Sequence, residues 1–315
     1  MSSGIALVFG CDGQDGSLMS KSLLEKGYKV YGTINNSETR SKNLQKLGID
    51  PDSFSIPLDI RSYSNVLNII STYLPNEIYN LAAKSSVGKS FEHPYETIQI
   101  NTIGTLNILE ACKKINFKGR IFFAGSSEIF GSNNHAANIN TSRNAMSPYA
   151  VSKVASQNLV KMYRETYGLN AVTGVLFNHE SKLRDEKFII PKIIKAARES
   201  VKKPNHIIRV GNINIERDWG WAEEYVEAMQ FMTRAKEISD QVICTGKKTS
   251  LEYVIRRIFE KYNLNWKDHV VIDKNLFRPN DIITSFGDPN QTFQNIGWKA
   301  TIFIEEIIDN LIKLK

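Results

Sequence analysis

The sequence is poor in the residues that staple or metallate a protein. It has three cysteines in 315 residues, Cys11, Cys112 and Cys244, far apart along the chain. An odd, scattered set excludes a disulfide framework and shows no zinc spacing. Its five histidines form no H-x-x-x-H pair, so the chemistry is expected to be metal-free. No apolar run is long enough to span a bilayer, and no membrane partner is expected. The N-terminus enters a strand without a basic-then-apolar leader, which predicts a cytoplasmic protein. Charge of one sign is nowhere concentrated. Lysine and arginine outnumber acids 40 to 33, giving +7, yet only doublets such as Lys202-Lys203 and Lys247-Lys248 occur. A nucleic-acid binder would gather that charge on one face, so no nucleic-acid partner is expected. A diffuse positive field suits an anionic small molecule. Repeats, low-complexity tracts and flexible linkers are absent too.

What remains is a globular composition, 42% apolar and 23% charged, with strands and helices in alternation. Ile5 to Phe9 is a buried-strand run. Gly10, Gly13 and Gly16 follow as G-x-x-G-x-x-G around Gln14 and Asp15, and Ser17 to Lys26 reads as a helix ended by Gly27. Strand, glycine turn and helix form the dinucleotide-binding arrangement, with the helix N-terminus facing a pyrophosphate. Tyr28 to Thr33 is a second strand. No acid follows it before Glu38, while Ser37, Arg40 and Lys42 come soon after. Arg40 and Lys42 would meet a 2′-phosphate, or are solvated helix residues, so NADP is expected with NAD open. Ser53 to Leu58 is a third strand ending in Asp59-Ile60. Asp59 suits the adenine amino group or a cap on the helix that Arg61-Ser62 begins. Glu77 to Leu81 is a fourth strand, and Ala82 to Ser86, including Ala83 and Ser85, lets a flat ring or ribose pack closely. Tyr95 to Ile115 is a long helix, its apolar stripe suited to core or dimer contact. The alternation predicts a doubly wound parallel sheet with ligands at the carboxyl ends of its strands.

The central stretch runs from Ala124 to Lys153. Ser126 and Glu128 close a buried strand. Ser147 caps a helix whose first position is Pro148, so Tyr149 lies in the first turn and Lys153 one turn on, on the same face. A hydroxyl, a carboxylate, a phenol and a cation then surround one point. This helix runs to Tyr167 and stops at Gly168, and Asn170 to Phe177 is a sixth strand. Beyond it the alternation loosens. Helices are expected at 188–200, 222–235, 251–262 and 302–312, with a short one starting at Pro289. Strands are expected at 207–210 and 241–245. The fold class is α/β, a Rossmann domain at 1–177 with a smaller C-terminal substrate-binding lid at 178–315 that shares elements with it.

Several stretches resemble the GDP-mannose 4,6-dehydratase family of the extended short-chain dehydrogenase/reductase superfamily. They are Gly13 to Ser17, Ser126 to Glu128, Tyr149 to Lys153, Leu176 to Ser181, Arg217 to Gly220, Glu224 to Met229, and Arg278-Pro279. The resemblance implies a hydro-lyase that makes a 4-keto-6-deoxy sugar from a GDP-linked hexose by internal hydride transfer, its nicotinamide cofactor staying bound. Ser126 stands at the family's catalytic threonine, and Glu128, Tyr149 and Lys153 at its base, tyrosine and lysine. Cofactor contacts fall on Gly10, Gly13, Gln14, Asp15, Gly16, Ser37, Arg40, Asp59, Ile60, Leu81, Ala83, Ser85, Tyr149, Lys153, His179 and Arg184. Substrate contacts fall on Ser85, Ser126, Glu128, Asn178, Lys192, Arg217 and Arg278. The resemblance also implies a homodimer or homotetramer built through helices at 95–115 and 148–168. Departures are Cys11-Asp12 for an apolar residue and threonine, Asn35-Asn36 for an arginine pair, Lys84 for glutamine, Pro191 for arginine, and a shorter lid. They suggest a sugar other than mannose. A GDP-sugar 4-reductase or epimerase, or a cofactor-binding sensor without catalysis, are the competing readings.

Overall fold

The computed structural model describes residues 4–35 and 42–313. Its first half runs β1 (Ile5–Phe9), α1 (Gln14–Glu25), β2 (Lys29–Ile34), α2 (Lys42–Lys46), β3 (Ser55–Pro57), α3 (Tyr63–Tyr73) and β4 (Glu77–Asn80). Then come α4 (Val87–Glu92), α5 (Pro94–Ile98), α6 (Gly104–Lys114), β5 (Arg120–Ser126), α7 (Pro148–Tyr167) and β6 (Asn170–Leu176). The second half holds β7 (Asn178–Glu180), α8 (Ile189–Lys202), β8 (Ile208–Val210), β9 (Glu216–Trp221), α9 (Ala222–Arg234) and β10 (Gln241–Ile243). It ends with β11 (Lys248–Ser250), α10 (Leu251–Glu260), β12 (Val270–Ile272), β13 (Thr284–Ser285), α11 (Asn290–Ile296) and α12 (Ile304–Lys313).

Seven parallel strands form the main sheet in the order β10-β6-β5-β4-β1-β2-β3. The strand order reverses at β1, so the crevice opens between β1 and β4. Alternation along β1 explains the two layers. Ala6 and Val8 face Met19, Leu23 and the α9 residues Tyr225 and Met229. Leu7 and Phe9 face Ile69, Ile70, Ile108 and Leu109 on the other side. A third core belongs to the second half. Ile190, Ile193, Ile194 and Ala197 of α8 meet Val254, Ile255 and Ile258 of α10 and Ile304, Ile307 and Ile308 of α12. Their i, i+3, i+4 spacing is the stripe that a half-buried helix needs. Beside it lie β7, β9, β11 and β13 in a small sheet, and β8 paired with β12.

Several expectations shift. α1 starts at Gln14, not Ser17, because the end of the glycine turn is already helical. The long helix expected at 95–115 is continuous from Pro94 to Lys114, with a π-helical stretch at Gln99–Ile103 inside it. α3 is capped by Ser62, whose hydroxyl accepts from the Asn65 N–H, not by Asp59. The short strands β7, β9, β11, β12 and β13 carry charges or span two to six residues, too little for periodicity to mark. Among the described residues no helix is long and apolar enough to cross a membrane.

Candidate active site

The glycine turn is shaped by contacts, not by flexibility alone. Gly10 has φ of +78°, and a Cβ there would lie 2.7 Å from Ala82 Cα. A Cβ on Gly16 would lie 2.0 Å from the Gly10 carbonyl oxygen. Gly13 is different: the nearest atom to its Cβ would be that same carbonyl, at 3.5 Å. Gly13 caps α1 without a side-chain hydrogen bond. The N-terminal N–H groups of α1 therefore lack a capping side chain at an open, glycine-lined approach, the cradle a dinucleotide diphosphate fits.

The catalytic candidates come together in the folded chain. The Ser147 hydroxyl accepts from the Ala150 N–H at 3.1 Å and Pro148 opens α7. Tyr149 and Lys153 are both buried on one face of that helix. Ser126 ends β5, and its hydroxyl accepts from the Glu128 N–H at 3.3 Å, holding Glu128 in a short 3-10 turn. The Ser126 hydroxyl and the Glu128 carboxylate both lie near enough to Tyr149 to act on the phenol's charge, in opposite directions. All four line one cleft of about 580 Å³ at the carboxyl ends of the strands. Gly13 to Gly16, Leu81, Ala83 and Ser85 line it from one side. Asn178, His179, Arg184, Lys192, Arg217 and Arg278 line it from the other.

Other candidates are not in the cleft. Gly10 lies beneath it as the turn's pivot. Ile60 is buried against Gly104 in the core. The Asp59 carboxylate accepts from the Arg61 side chain at 2.7 to 3.0 Å and from its backbone N–H at 2.9 Å, so an adenine would compete with that pair. Ser37 and Arg40 lie outside the described residues. The cleft also includes Phe188, Asn212, Leu276 and Asp281, which no sequence pattern marks. They come from three connections, before α8, after β8 and between β12 and β13, and meet only in the folded chain.

Two shells tie the second half to α1. His179 Nε2 is 2.9 Å from Asp15 Oδ2 and its Nδ1 donates to the Phe177 carbonyl at 2.7 Å. Gln14 Nε2 donates to Asp15 at 3.0 Å, and the Ser181 hydroxyl donates to Gln14 Oε1 at 3.0 Å. Strand β9 splits the Arg217-Asp218-Trp219-Gly220 stretch by alternation. Arg217 and Trp219 line the cleft. Asp218 instead accepts from the N–H and hydroxyl of Thr245, at 2.9 and 2.7 Å, and from the Gly246 N–H at 2.9 Å. Gly220 makes room for Tyr225, whose ring a Cβ would meet at 2.2 Å.

Residues 7–311 match the family described as GDP-mannose 4,6 dehydratase. GDP-mannose 4,6 dehydratase 1 of Arabidopsis thaliana is 37% identical over 319 residues, covering 98% of this chain and 88% of the plant protein. The chain belongs to the GDP-mannose 4,6-dehydratase family. More distant solved structures share the fold. The dTDP-glucose 4,6-dehydratase from Bacillus anthracis, in complex with NAD, is 18% identical with a TM-score of 0.84, over 98% of this chain and 95% of that one. RMD from Pseudomonas aeruginosa, complexed with NADPH, is 20% identical with a TM-score of 0.81, over 99% and 98%.

The electrostatics of this dehydratase-family cleft follow from burial. Tyr149 is pushed up to about 12, burial and the Glu128 charge outweighing the hydrogen bond from Ser126. Lys153 is pushed down to about 8 by burial, against the opposing pull of Asp15. Its ammonium donates to the Ala124 carbonyl at 2.8 Å and stands 5.7 Å from the centre of the Tyr149 ring. The polypeptide by itself thus holds Tyr149 as a neutral phenol. Burial would raise the Asp15 carboxyl, but the His179 charge and hydrogen bond bring it down to about 2. His179 moves the opposite way: burial opposes its charge, and Asp15 raises it above the usual histidine value. Arg217 is only 4% exposed and donates to the Glu216 carbonyl at 2.9 Å, so a cation is held rigidly at the cleft wall.

Proposed function

We propose that this protein is a GDP-sugar 4,6-dehydratase, a hydro-lyase that keeps a nicotinamide dinucleotide bound through its cycle. The observation that carries this reading is the convergence of Ser126, Glu128, Tyr149 and Lys153 in one cleft with the uncapped start of α1. A 4-reductase needs no carboxylate base at that point. Residues 1–177 hold the dinucleotide, and 178–315 mainly hold the sugar nucleotide while lending β10 and α9 to the first domain. Lys192, Arg217 and Arg278 supply cations for the diphosphate, with Asn178 and Ser85 beside it.

The chemistry divides among these residues. The bound nicotinamide supplies a hydride acceptor, later a hydride donor, and a positive charge that favours the phenolate. Tyr149, oriented by Ser126, takes the proton of the sugar C4 hydroxyl as the C4 hydrogen departs with its electron pair. Lys153 anchors the Tyr149 face of α7 to β5 and adds positive charge. The resulting C4 ketone acidifies the C5 hydrogen. Glu128 removes that proton and delivers a proton to the C6 hydroxyl, which leaves as water. A hydride would then return to C6, C5 would take a proton from solvent, and Tyr149 would release its own proton to solvent, so no net oxidation occurs.

The protein works in the cytoplasm as a homodimer or homotetramer. Tyr95, Ile98 and Ile103 around α5, with Val151 and Met162 of α7, are exposed apolar side chains suited to helix pairing with a second copy. Incubation with GDP-mannose, a GDP-heptose or a GDP-N-acetylhexosamine in deuterated water tests the reaction. The expected product is a 4-keto-6-deoxy sugar with deuterium at C5 and no net cofactor consumption. Stoichiometric oxidation of a reduced dinucleotide, with no C5 label, would refute it.

A further inference from the structure

The adenosine end of the dinucleotide site carries a charge that the mechanism does not use. In doubly wound folds the adenosine ribose lies at the carboxyl end of the second strand, where an acid accepts from the 2′-hydroxyl or a cation meets a 2′-phosphate. Here the described residues at the end of β2, Thr33, Ile34 and Asn35, include neither. The glycine turn is pinned to that end: the N–H groups of Gly10 and Cys11 both donate to the Thr33 carbonyl at 3.1 Å. Cys11 packs over Gly32, where a Cβ would lie 2.4 Å from its sulfur. The next residue is Asp12. Asn43 Nδ2 of α2 donates to the Asp12 carbonyl at 3.3 Å, so Asp12 sits between the end of β2 and the start of α2. It is half-buried and outside the main cleft. Among the described residues no side chain hydrogen-bonds or ion-pairs with its carboxylate. Burial raises its pKa, the mark of a carboxylate short of partners.

We propose that Asp12 makes this protein select NAD over NADP, its carboxylate accepting from the adenosine 2′-hydroxyl and repelling a 2′-phosphate. This rests on the dinucleotide-dependent reading above. It replaces the acid usually borne by the second strand with one supplied from the glycine turn, and it reverses the expectation drawn from Arg40 and Lys42. Lys42 is exposed, so solvent and salt screen its charge. Asp12 is closer to the low-dielectric turn, where a like charge on the ligand costs more.

Calorimetric titration of the purified protein with NAD and with NADP tests this, together with mass analysis of the dinucleotide released on denaturation. The expected results are release of NAD and binding of NAD at least about tenfold tighter than NADP. Asp12→Ser should bring that ratio down toward one. Asp12→Asn keeps the shape without the charge and should recover NADP binding without a comparable gain for NAD. A thermal melt reports whether each variant is folded, and either variant alone suffices. NADP binding as tight as NAD, or an unchanged ratio in folded variants, overturns the selectivity while leaving the dehydratase reading intact. Failure to bind either dinucleotide, with no C5 labelling of any GDP-sugar, overturns both.

Discussion

Asp15→Asn should loosen the joint between the dinucleotide half and the lid in a pH-dependent way. The Asp15 carboxyl is held at about 2, against 3.8 for the free group. A group held that far down stabilises the fold by about 2 kcal/mol at neutral pH. The side chain is 22% exposed, so solvent screening removes little of this. Asp15 and His179 share one interaction, and it is counted once. Spread over the unfolding entropy of 315 residues, a loss of that size lowers Tm by about 3 °C. Stability from a depressed carboxyl is present above its unfolded pKa and is lost as pH falls through the folded value. Stability from a raised imidazole is present below its unfolded pKa and is lost as pH rises through the folded one. The gap between the native protein and Asp15→Asn should therefore be widest from about pH 4.5 to 6.5 and narrow on either side. Melting curves of both proteins across pH 3.5 to 9 would measure it. An equal gap at every pH, or a variant as stable as the native protein, would show that no charged pair joins α1 to β7.

The remaining expectations concern the cleft and the surface. Glu128→Gln should cut turnover by about 10²- to 10⁴-fold and abolish C5 deuterium incorporation, with dinucleotide affinity unchanged by calorimetry. In Gly16→Ala the new Cβ would meet the Gly10 carbonyl at 2.0 Å, backbone that cannot yield cheaply. It should cost about 1–3 kcal/mol in urea unfolding and weaken dinucleotide binding. Arg217→Met should raise the Kd for GDP by about ten- to a hundredfold in titrations, the worth of charge-assisted hydrogen bonds to a diphosphate. The double change Ile98→Glu with Met162→Glu should yield a smaller species by light scattering with the melting temperature of the monomer fold retained.

Legibility tracked locality. The turn after β1 was readable because strand, glycines and helix are consecutive. The Tyr149–Lys153 face was readable because a cap, a proline and a four-residue spacing lie within seven positions. Of the two uses open to Asp59, adenine contact or helix cap, the cap belongs to Ser62 instead, because an acid before a helix and an acid paired to the next arginine look alike in sequence. The small sheet went unseen since β7, β11 and β13 are two or three residues long and are strands only by their pairing. Within Arg217-Asp218-Trp219-Gly220 the sequence could not say which residue faces the ligand. Strand alternation turned Arg217 to the cleft and Asp218 to the 245–246 loop.

The amino-acid sequence by itself determined the α/β class, the glycine cradle and the phenol–ammonium helix face, because each depends on backbone geometry over a few neighbouring residues. Tertiary structure alone decided that Glu128 and Ser126 share a cleft with Tyr149, that His179 reaches back to Asp15, and that Lys153 leans on Ala124. Those contacts join positions up to 164 residues apart. Charges brought that close under burial take pKa values that no spacing along the chain encodes.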